Sequence, residues 1–365
     1  MISESLYSQI ETGRIGNNWG FSLGLPKLEN IIDGVTKNTY TLIMSPSGIG
    51  KTSLALFSFI YKPLCDHLED GNFKISYFSL EISAELLFAK LLSLHIYETY
   101  GVELSTKELL SRKKNYKLSE ENYNLVKESL PWLKKVENIV SVYDKGLNAK
   151  SLYTLLMKEL EAEGTFEETE GRKLYIPKNE NLVHLVVIDH LSLCRPSEGR
   201  SLKEEMDLIS SYLVTLRNMC KISPLVIMQV NRNSASMDRR KEGMSNITLN
   251  DAKDSGSPIQ DSEVVLSLFS PHREKLSTYR GYDIKQLQHN FRSITCLKNR
   301  YGESDVEIGC AFYGKIGYFA ELPKPEEIYD YGKYENSKWI LNPDINKESN
   351  SENKDKPNQK FKFTL

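Results

Sequence analysis

The sequence has little net charge, few cysteines and no long apolar run, and each absence excludes a class of protein. Its 47 Lys and Arg residues nearly balance its 49 Asp and Glu residues, for a net charge of −2 over 365 residues. This balance excludes a histone-like, globally basic nucleic-acid binder. The five cysteines form no CxxC pair, so we expect small core residues in a reducing compartment.

The sequence also gives no sign of a membrane or secretory protein. No apolar run approaches the roughly 18 residues that a membrane helix needs. Residues 1–12 are polar with scattered apolar positions, without the basic and then apolar pattern of a signal peptide. We therefore expect a cytoplasmic protein with no membrane partner. The length allows either about two domains or one large α/β domain.

From residue 40 onward, apolar runs with strand character alternate with helical patterns. Strands are predicted at Tyr40–Met44, Lys74–Ser79, Ile139–Tyr143, Leu182–Asp189, Leu225–Gln229, Glu263–Phe269, Ser293–Lys298 and Val306–Phe312. Strands separated by helices form βαβ units, whose strands run parallel. We therefore predict an α/β fold with a mostly parallel, twisted sheet flanked by helices.

Composition divides the chain into a main part and three distinctive segments. The predicted parts are an N-terminal arm (1–20), a main domain (21–330) with an acidic insertion (161–180), and a C-terminal tail (331–365). The arm carries an amphipathic helix over residues 3–12, with Leu6, Tyr7 and Ile10 on one side. The insertion has a net charge of −3 and is expected to be solvated, and the polar tail is expected to be disordered.

A phosphate-binding loop follows the first predicted strand. Residues Ser45–Thr52 read S-P-S-G-I-G-K-T and precede a helical run over Ser53–Tyr61, which is the strand–loop–helix context of a P-loop. Backbone N–H groups of such a loop and the helix N-terminus bind phosphates. Lys51 would reach the β- and γ-phosphates, and the Thr52 hydroxyl would bind Mg²⁺. The residues expected to contact the nucleotide are Ser47, Gly48, Ile49, Gly50, Lys51, Thr52 and Ser53.

Three polar side chains stand at the ends of other predicted strands. Asp189 ends an apolar strand, where P-loop chemistry needs a carboxylate to organise Mg²⁺. Glu81 fits two roles equally well by position, a general base or a first-turn acid of the helix that Ser83 caps. Gln229 ends a further strand, from which its amide could sense the γ-phosphate.

Together these segments resemble the RecA-like ATPase domain of DnaB-family replicative helicases. The resemblance spans roughly residues 20–320 and is carried, in family order, by Ser45–Thr52, Phe78–Ser83, Ile188–Leu193, Gln229–Arg232, Lys253–Asp261 and Lys298–Arg300. Phe78–Ser83 and Lys253–Asp261 are the most specific of these, because a generic P-loop ATPase need not have them.

The resemblance implies a catalytic role for each matched residue. Glu81 matches the catalytic glutamate, Asp189 the Mg²⁺-associated aspartate, and Gln229 the glutamine that links the γ-phosphate to the DNA-binding loops. Lys298 and Arg300 match a basic pair that projects into a neighbouring subunit's nucleotide site, so hydrolysis would require a homo-oligomer, a hexamer by resemblance. With the P-loop lysine, the implied catalytic set is Lys51, Glu81, Asp189, Gln229, Lys298 and Arg300.

The resemblance also implies binding of single-stranded DNA. Lys253, Asp254, Ser255 and Gly256 match the loop that holds the strand's backbone. Residues 231–300, which include Arg239 and Arg240, hold twelve basic and eight acidic residues, a net charge of +4. Copies of this segment around a ring would line a positive pore, where phosphate contacts make binding salt-sensitive and largely independent of sequence.

The implied function is a ring-forming replicative DNA helicase, working in a bacterial or phage-infected cell. It would use ATP and Mg²⁺ to translocate on single-stranded DNA, 5′→3′ by resemblance, and to unwind a DNA fork. Only some twenty residues precede the matched core, where typical members carry a helical N-terminal domain. A primase or a helicase loader are candidate partners. Two alternatives stay open: a RecA-like recombinase or mediator that forms filaments, and an ATP-gated helicase-loading scaffold.

Overall fold

A mixed sheet of nine strands organises the part of the chain that the computed structural model describes, which comprises residues 2–14, 16, 19–169, 171–230, 247–249 and 256–341. The strands in these residues are β1 (Thr41–Ser45), β2 (Phe73–Ser79), β3 (Val140–Tyr143), β4 (Gly164–Thr169), β5 (Arg172–Pro177), β6 (Val183–Asp189), β7 (Ser223–Gln229), β8 (Val264–Phe269), β9 (Thr278–Tyr279), β10 (Tyr282–Asp283), β11 (Phe291–Asn299), β12 (Val306–Tyr313) and β13 (Tyr318–Glu321). The α-helices are α1 (Ile2–Arg14), α2 (Pro26–Ile32), α3 (Lys51–Leu54), α4 (Lys62–His67), α5 (Ala84–Tyr100), α6 (Thr106–Leu109), α7 (Glu120–Ile139), α8 (Ala149–Glu163), α9 (Leu202–Cys220), α10 (Ser257–Asp261), α11 (Ile284–Leu287) and α12 (Lys338–Leu341).

The order of the strands confirms the predicted α/β class. Along the main sheet they lie in the order β13-β12-β11-β8-β1-β7-β6-β2-β3. The strands from β8 to β3 are parallel to one another, whereas β11, β12 and β13 extend the β8 edge in antiparallel fashion. In the parallel part, the carboxyl ends of β1, β7, β6 and β2 therefore meet at one edge of the sheet.

Helices cover both faces of this sheet, which explains the near-continuous apolar runs of its central strands. Successive side chains of a strand point to opposite faces. Thus Ile43 packs into the core shared with Leu91 of α5, and its neighbours Leu42 and Met44 pack into the core shared with Leu213 of α9. All five residues of β1 are buried, and the loop that follows it starts from a rigid base.

The eight predicted strands are all present, with ends that differ by at most two residues. The β4–β5, β9–β10 and β13 elements were not predicted. The expectation that residues 161–180 are wholly solvated is wrong at Tyr175, which is buried and donates a 3.2 Å hydrogen bond to the Leu160 carbonyl oxygen. Alternation along β5 turns Tyr175 inward while Leu174 and Ile176 stay exposed. The prediction relied on the many acidic residues of this segment and did not take account of the alternation.

Both ends of the described chain extend beyond the predicted elements. Helix α1 continues through Gly13 to Arg14, and its Leu6, Tyr7 and Ile10 are exposed. At the other end, Tyr334 is buried and the Trp339 indole donates a 2.5 Å hydrogen bond to the Tyr313 hydroxyl. Structure packed on the main body therefore continues to Leu341, past the predicted domain end at residue 330. Within the described residues, no helix is long and apolar enough to cross a membrane.

Candidate functional site

The P-loop closes over the end of the buried strand β1. Its helix starts at Lys51, two residues earlier than predicted, and passes through a π-helical segment, Ala55–Tyr61, before α4. Gly50 has φ +116°, and a Cβ at this position would lie 3.3 Å from the Phe312 ring. A positive φ and close aromatic contact both favour glycine here, so the loop can wrap tightly at this point.

The Lys51 ammonium lies inside the loop that precedes it. Its Nζ donates 3.0 Å hydrogen bonds to the carbonyl oxygens of Ser45 and Pro46. Burial lowers the pKa of Lys51 to about 8, although the charges of Asp189 and Glu81 oppose the shift. The lysine is therefore held inside the loop by uncharged carbonyl oxygens, which a negatively charged phosphate oxygen can replace.

Asp189 brings the predicted metal-binding residues together. The Thr52 hydroxyl donates a 3.1 Å hydrogen bond to Asp189 Oδ1, and the Tyr77 hydroxyl donates a 2.7 Å bond to Oδ2. Burial raises the pKa of Asp189, and these two hydrogen bonds only partly offset that effect. A hydroxyl and a carboxylate are the oxygen ligands that Mg²⁺ accepts beside substrate phosphates and water, so the donor set fits this ion.

A cavity of about 280 Å³ joins these groups to the other strand ends. Its walls include Glu81 after β2, Gln229 at the end of β7 and His190 after β6. The remaining walls are formed by Ser47, Gly48, Gly50, Lys51, Thr52, Ser53, Phe312 and Gly314. Open parallel sheets bind ligands outside the carboxyl ends of their strands, and here that edge holds a lysine, two carboxylates and an amide. Ile49, predicted beside them, has a buried side chain.

Several residues around this cavity were missed by the sequence reasoning. Phe312 reaches it from the antiparallel strand β12, and Tyr77 reaches Asp189 from β2. Burial lowers the pKa of His190 and favours its neutral form. The Arg273 Nη1 donates a 2.8 Å hydrogen bond to the Ser47 carbonyl oxygen, and the Arg292 Nε donates a 2.7 Å bond to that of Ile49. In the sequence, the one feature that distinguishes Arg292 is its charge at the start of an apolar strand.

Lys298 and Arg300 do not line the nucleotide cavity of their own chain. The Lys298 ammonium donates to the carbonyl oxygens of Ile259, Gln260 and Ser262, at 2.9, 2.9 and 2.6 Å. Arg300 donates to the same Gln260 carbonyl oxygen at 3.2 Å and pairs with Glu263 at 3.3 Å. Both cations thus lie at the C-terminal end of α10, and half of the Arg300 side chain is exposed.

The predicted DNA-binding residues fall mainly outside the described residues. Arg239, Arg240, Lys253, Asp254 and Ser255 all lie there. Gly256 is described and has φ +82° and ψ −155° immediately before α10. The predicted DNA loop therefore ends where helix α10 begins. The predicted trans-acting pair, Lys298 and Arg300, contacts the other end of the same helix.

Comparison with known proteins gives a family match and several relatives. A family model described as DnaB-like helicase C terminal domain matches residues 20–321. The replicative DNA helicase DnaB of Helicobacter pylori is 26% identical over 298 residues, which are 81% of this chain and 50% of that protein. DnaB of Rickettsia prowazekii is 24% identical over 326 residues, 87% of this chain and 59% of that protein. This chain thus spans about half the length of the curated relatives it matches.

Two solved structures share the fold. One, described as an ATPase domain, superposes with a TM-score of 0.67 at 17% identity, and the match covers 88% of this chain and 99% of that one. A DnaB-like replicative helicase, described together with its interactions with primase, gives a TM-score of 0.65 at 18% identity. That match covers 87% of this chain and 67% of the other. At these identities the likeness concerns the fold alone, and it confirms the predicted RecA-like architecture.

Proposed function

Because this chain belongs to the family of DnaB-like helicase C-terminal domains, we propose that it is the ATP-driven motor of a replicative DNA helicase. It forms a homo-oligomeric ring, a hexamer, translocates 5′→3′ on single-stranded DNA in the cytoplasm, and unwinds the fork. The observation that carries this proposal is that Lys51, Thr52, Glu81 and Gln229 line one cavity at the carboxyl edge of the parallel sheet. Asp189 lies directly behind this wall, hydrogen-bonded to Thr52.

In this proposal each residue acts on the bound triphosphate or on the attacking water. Lys51 leaves the Ser45 and Pro46 carbonyl oxygens and pairs with the β- and γ-phosphates. Thr52 and Asp189 would hold Mg²⁺, which would neutralise phosphate charge. Glu81 faces the same cavity and takes the proton of the attacking water. Gln229 contacts the γ-phosphate and relays its presence toward residue 230 and the stretch that follows.

Lys298 and Arg300 complete the nucleotide site of a neighbouring subunit. The structure supports this role by where it places them, outside their own cavity, with Arg300 half exposed. An arginine supplied in trans stabilises charge in the transition state of phosphoryl transfer. In this structure the two side chains donate to carbonyl oxygens at the C-terminal end of helix α10, and α10 begins directly after the predicted DNA loop. If the pair moved to a phosphate in the neighbouring subunit, these hydrogen bonds would break and that end of α10 would be released. Lys253–Gly256, with Arg239 and Arg240, hold the DNA strand.

The first experiment separates nucleotide binding from hydrolysis. In Glu81→Gln we expect ATP affinity within about threefold of wild type, while DNA-stimulated turnover falls roughly 100-fold or more because the general base is lost. Glu85→Gln is the matched control, since Glu85 is exposed in the first turn of α5 and should hydrolyse ATP like wild type. Retained DNA-stimulated hydrolysis in Glu81→Gln would contradict the assignment of Glu81.

The second experiment tests whether subunits share nucleotide sites. Arg300→Ala subunits mixed into wild type should lower ATPase activity more than dilution predicts, because each one inactivates the site of a neighbour. Activity that falls in simple proportion to the wild-type fraction would argue against a shared site.

Electron microscopy with a non-hydrolysable ATP analogue and a DNA fork tests the assembly itself. We expect closed rings with one strand in the pore, and unwinding of forks that carry a 5′ tail. Filaments with strand exchange would favour a recombinase instead. An ATPase that single-stranded DNA leaves unstimulated would favour a helicase-loading scaffold, and binding to a purified primase or loader would identify the partner.

A further inference from the structure

Arg292 is a buried cation that contacts the P-loop without lining the nucleotide cavity. It lies near the start of β11 and is 6% exposed. Its Nε donates a 2.7 Å hydrogen bond to the Ile49 carbonyl oxygen. Its Nη1 donates to the carbonyl oxygens of His289 and Phe291 at 2.8 and 2.7 Å, and to Ser270 Oγ at 3.3 Å. One rigid guanidinium thus ties the P-loop to the ends of β8 and β11.

The bond to Ile49 orients one peptide plane of the loop. In a trans peptide the C=O and the following N–H point in opposite directions. Since Arg292 holds the Ile49 carbonyl on its own side, the Gly50 N–H points away from the guanidinium, and Gly50 lines the cavity. Arg273 orients the Ser47–Gly48 peptide in the same way. It holds the Ser47 carbonyl oxygen at 2.8 Å, and Gly48 also lines the cavity.

The same guanidinium supports the aromatic wall of the cavity. Its Cζ lies 4.8 Å from the centroid of the Phe312 ring, a cation–π contact. Phe312 stacks on Phe319 with 4.5 Å between centroids and touches the position that a Cβ of Gly50 would occupy. Displacing Arg292 would therefore disturb the wall and the loop together.

The charge of Arg292 has no counter-charge within the described residues. No carboxylate there lies within salt-bridge distance of its guanidinium. Burial lowers its pKa to about 10, and the neighbouring Arg273 charge contributes to the same shift, yet the group stays protonated at neutral pH. A buried charge without an opposite partner is costly. Nucleotide phosphates in the adjacent loop would provide the missing negative charge.

We propose that Arg292 is a positioning residue for the nucleotide: it fixes the Ile49–Gly50 peptide with the N–H toward the phosphates, and bound polyphosphate compensates its buried charge. This inference rests on the proposed function, in which the P-loop binds ATP. The fork of the guanidinium matters as well as its charge, because Nε holds the Ile49 carbonyl oxygen while a second nitrogen, Nη1, holds the His289 and Phe291 carbonyl oxygens, and a lysine offers only one nitrogen.

The test compares Arg292→Met and Arg292→Lys with wild type. ATP affinity should fall roughly 10- to 100-fold in Arg292→Met, the loss of a charge-assisted interaction, and at least about threefold in Arg292→Lys. The KM for ATP should rise by more than kcat falls. The stabilisation of the fold by saturating ATP, measured as a shift in the unfolding midpoint, should shrink in both variants. Arg280→Met is the control, since Arg280 is an exposed arginine with its own partner, Glu307, and should bind ATP like wild type.

Two readouts separate the possible results. A purely structural role for Arg292 would lower the unfolding midpoint without nucleotide and leave ATP affinity unchanged. The circular dichroism spectrum shows which of the two Arg292 variants keep the native fold. If such a variant binds ATP with wild-type affinity, the proposal is overturned. Lys51→Met distinguishes this failure from failure of the proposed function. If Lys51→Met loses ATP while the Arg292 variants bind normally, only the inference about Arg292 fails. If wild type binds no ATP, or Lys51→Met binds it as wild type does, the nucleotide site itself fails.

Discussion

The hydroxyl of Thr52 donates a 3.1 Å hydrogen bond to Oδ1 of Asp189, across 137 residues of sequence. This contact joins the first turn of the P-loop helix to the end of β6, at the place where the sequence predicts Mg²⁺. The Tyr77 hydroxyl holds the second carboxylate oxygen at 2.7 Å. Protein hydroxyls therefore hold both carboxylate oxygens of Asp189, and each of these contacts can be tested separately.

Removing the Thr52 hydroxyl should lower magnesium-dependent ATP turnover much more than it lowers ATP affinity. In Thr52→Val we expect turnover at saturating Mg²⁺ to fall roughly 100-fold, because a bound metal contributes several kcal/mol to the transition state. Affinity for ATP in EDTA should change by less than about threefold. Thr52→Ser keeps the hydroxyl and should retain most activity. Equal turnover in the valine and serine variants would remove Thr52 from the metal site.

ATP affinity should depend on the protonation of Lys51. Burial lowers the pKa of this lysine to about 8, and the triphosphate binds the charged form. Above pH 8 a proton must therefore be taken up on binding. We expect affinity to be constant below pH 8 and to fall by up to about tenfold per pH unit above it. Calorimetry in buffers of different ionisation enthalpy measures the proton uptake directly.

Lys51→Arg provides the control for that profile. A guanidinium stays charged throughout the range, so the affinity of this variant, even if weaker, should not vary between about pH 7 and 9.5. Wild-type affinity that is equally flat over this range would show that Lys51 keeps its proton in the free protein.

A buried ionic cluster beneath α8 predicts a pH-dependent stability. His184 Nε2 lies 2.7 Å from Ser76 Oγ, and its Nδ1 lies 3.0 Å from Glu163 Oε2. Burial by itself lowers the pKa of His184, but the adjacent carboxylates of Glu159 and Glu163 outweigh it and raise the pKa above 6.5. A raised folded pKa means that this stabilisation is complete below about pH 6.5. It is lost as the pH rises through the folded value.

His184→Gln should therefore destabilise the protein more in mild acid than in base. At about pH 5.5 we expect its free energy of unfolding to be about 3 kcal/mol below wild type, and the difference should shrink by about pH 9. Urea titrations at both values measure this. His272→Gln, at an exposed histidine, should match wild type throughout. A difference for His184→Gln that is the same at both pH values would mean that this histidine is not charged in the folded protein.

The end of the predicted DNA loop should tolerate only glycine. At Gly256, with φ +82°, a Cβ would lie 2.2 Å from Asp207 Oδ1, the oxygen that accepts the Ser257 N–H at 2.7 Å. Gly256→Ala should therefore shift the loop and weaken single-stranded DNA binding roughly tenfold, given strain of about 1–3 kcal/mol. Gly199→Ala is the control, because Gly199 has a similar φ of +79° with no atom within 4 Å of its Cβ position. Fluorescence anisotropy with labelled oligonucleotides distinguishes the two. Equal affinities would indicate that the loop does not depend on this turn.

Much of the fold, and the positions of the residues that line the candidate nucleotide site, were predictable because the responsible signals are local. The spacing of Gly50, Lys51 and Thr52 defines a P-loop without any long-range information. Asp189 and Gln229 were found because they end apolar strands, and parallel strands bring their carboxyl ends to one edge. The antiparallel extension was less visible, since the four residues of β13 are too few for an alternation to stand out.

Other features depend on contacts that no local pattern encodes. The sequence indicates that Lys298 and Arg300 form a basic pair. Only the folded chain shows that both donate to the carbonyl oxygen of Gln260, near the C-terminal end of α10. Arg292 is one of twelve basic residues in its stretch, and composition alone does not distinguish it from exposed ones such as Arg280.

The sequence by itself thus determined the α/β class, the P-loop and the polar residues at the strand ends, because backbone geometry and strand direction follow from short-range patterns. The tertiary structure alone decided which side chains support that site from behind: Tyr77 on Asp189, Arg292 on Ile49, and Phe312 against Gly50. The two members of each pair come from segments far apart in the chain, and their contacts exist only once sheet order and register bring β2, β6, β11 and β12 to the end of β1. The near-neutral charge balance has the same limit, since a net charge of −2 does not indicate that a buried arginine lies beside the P-loop.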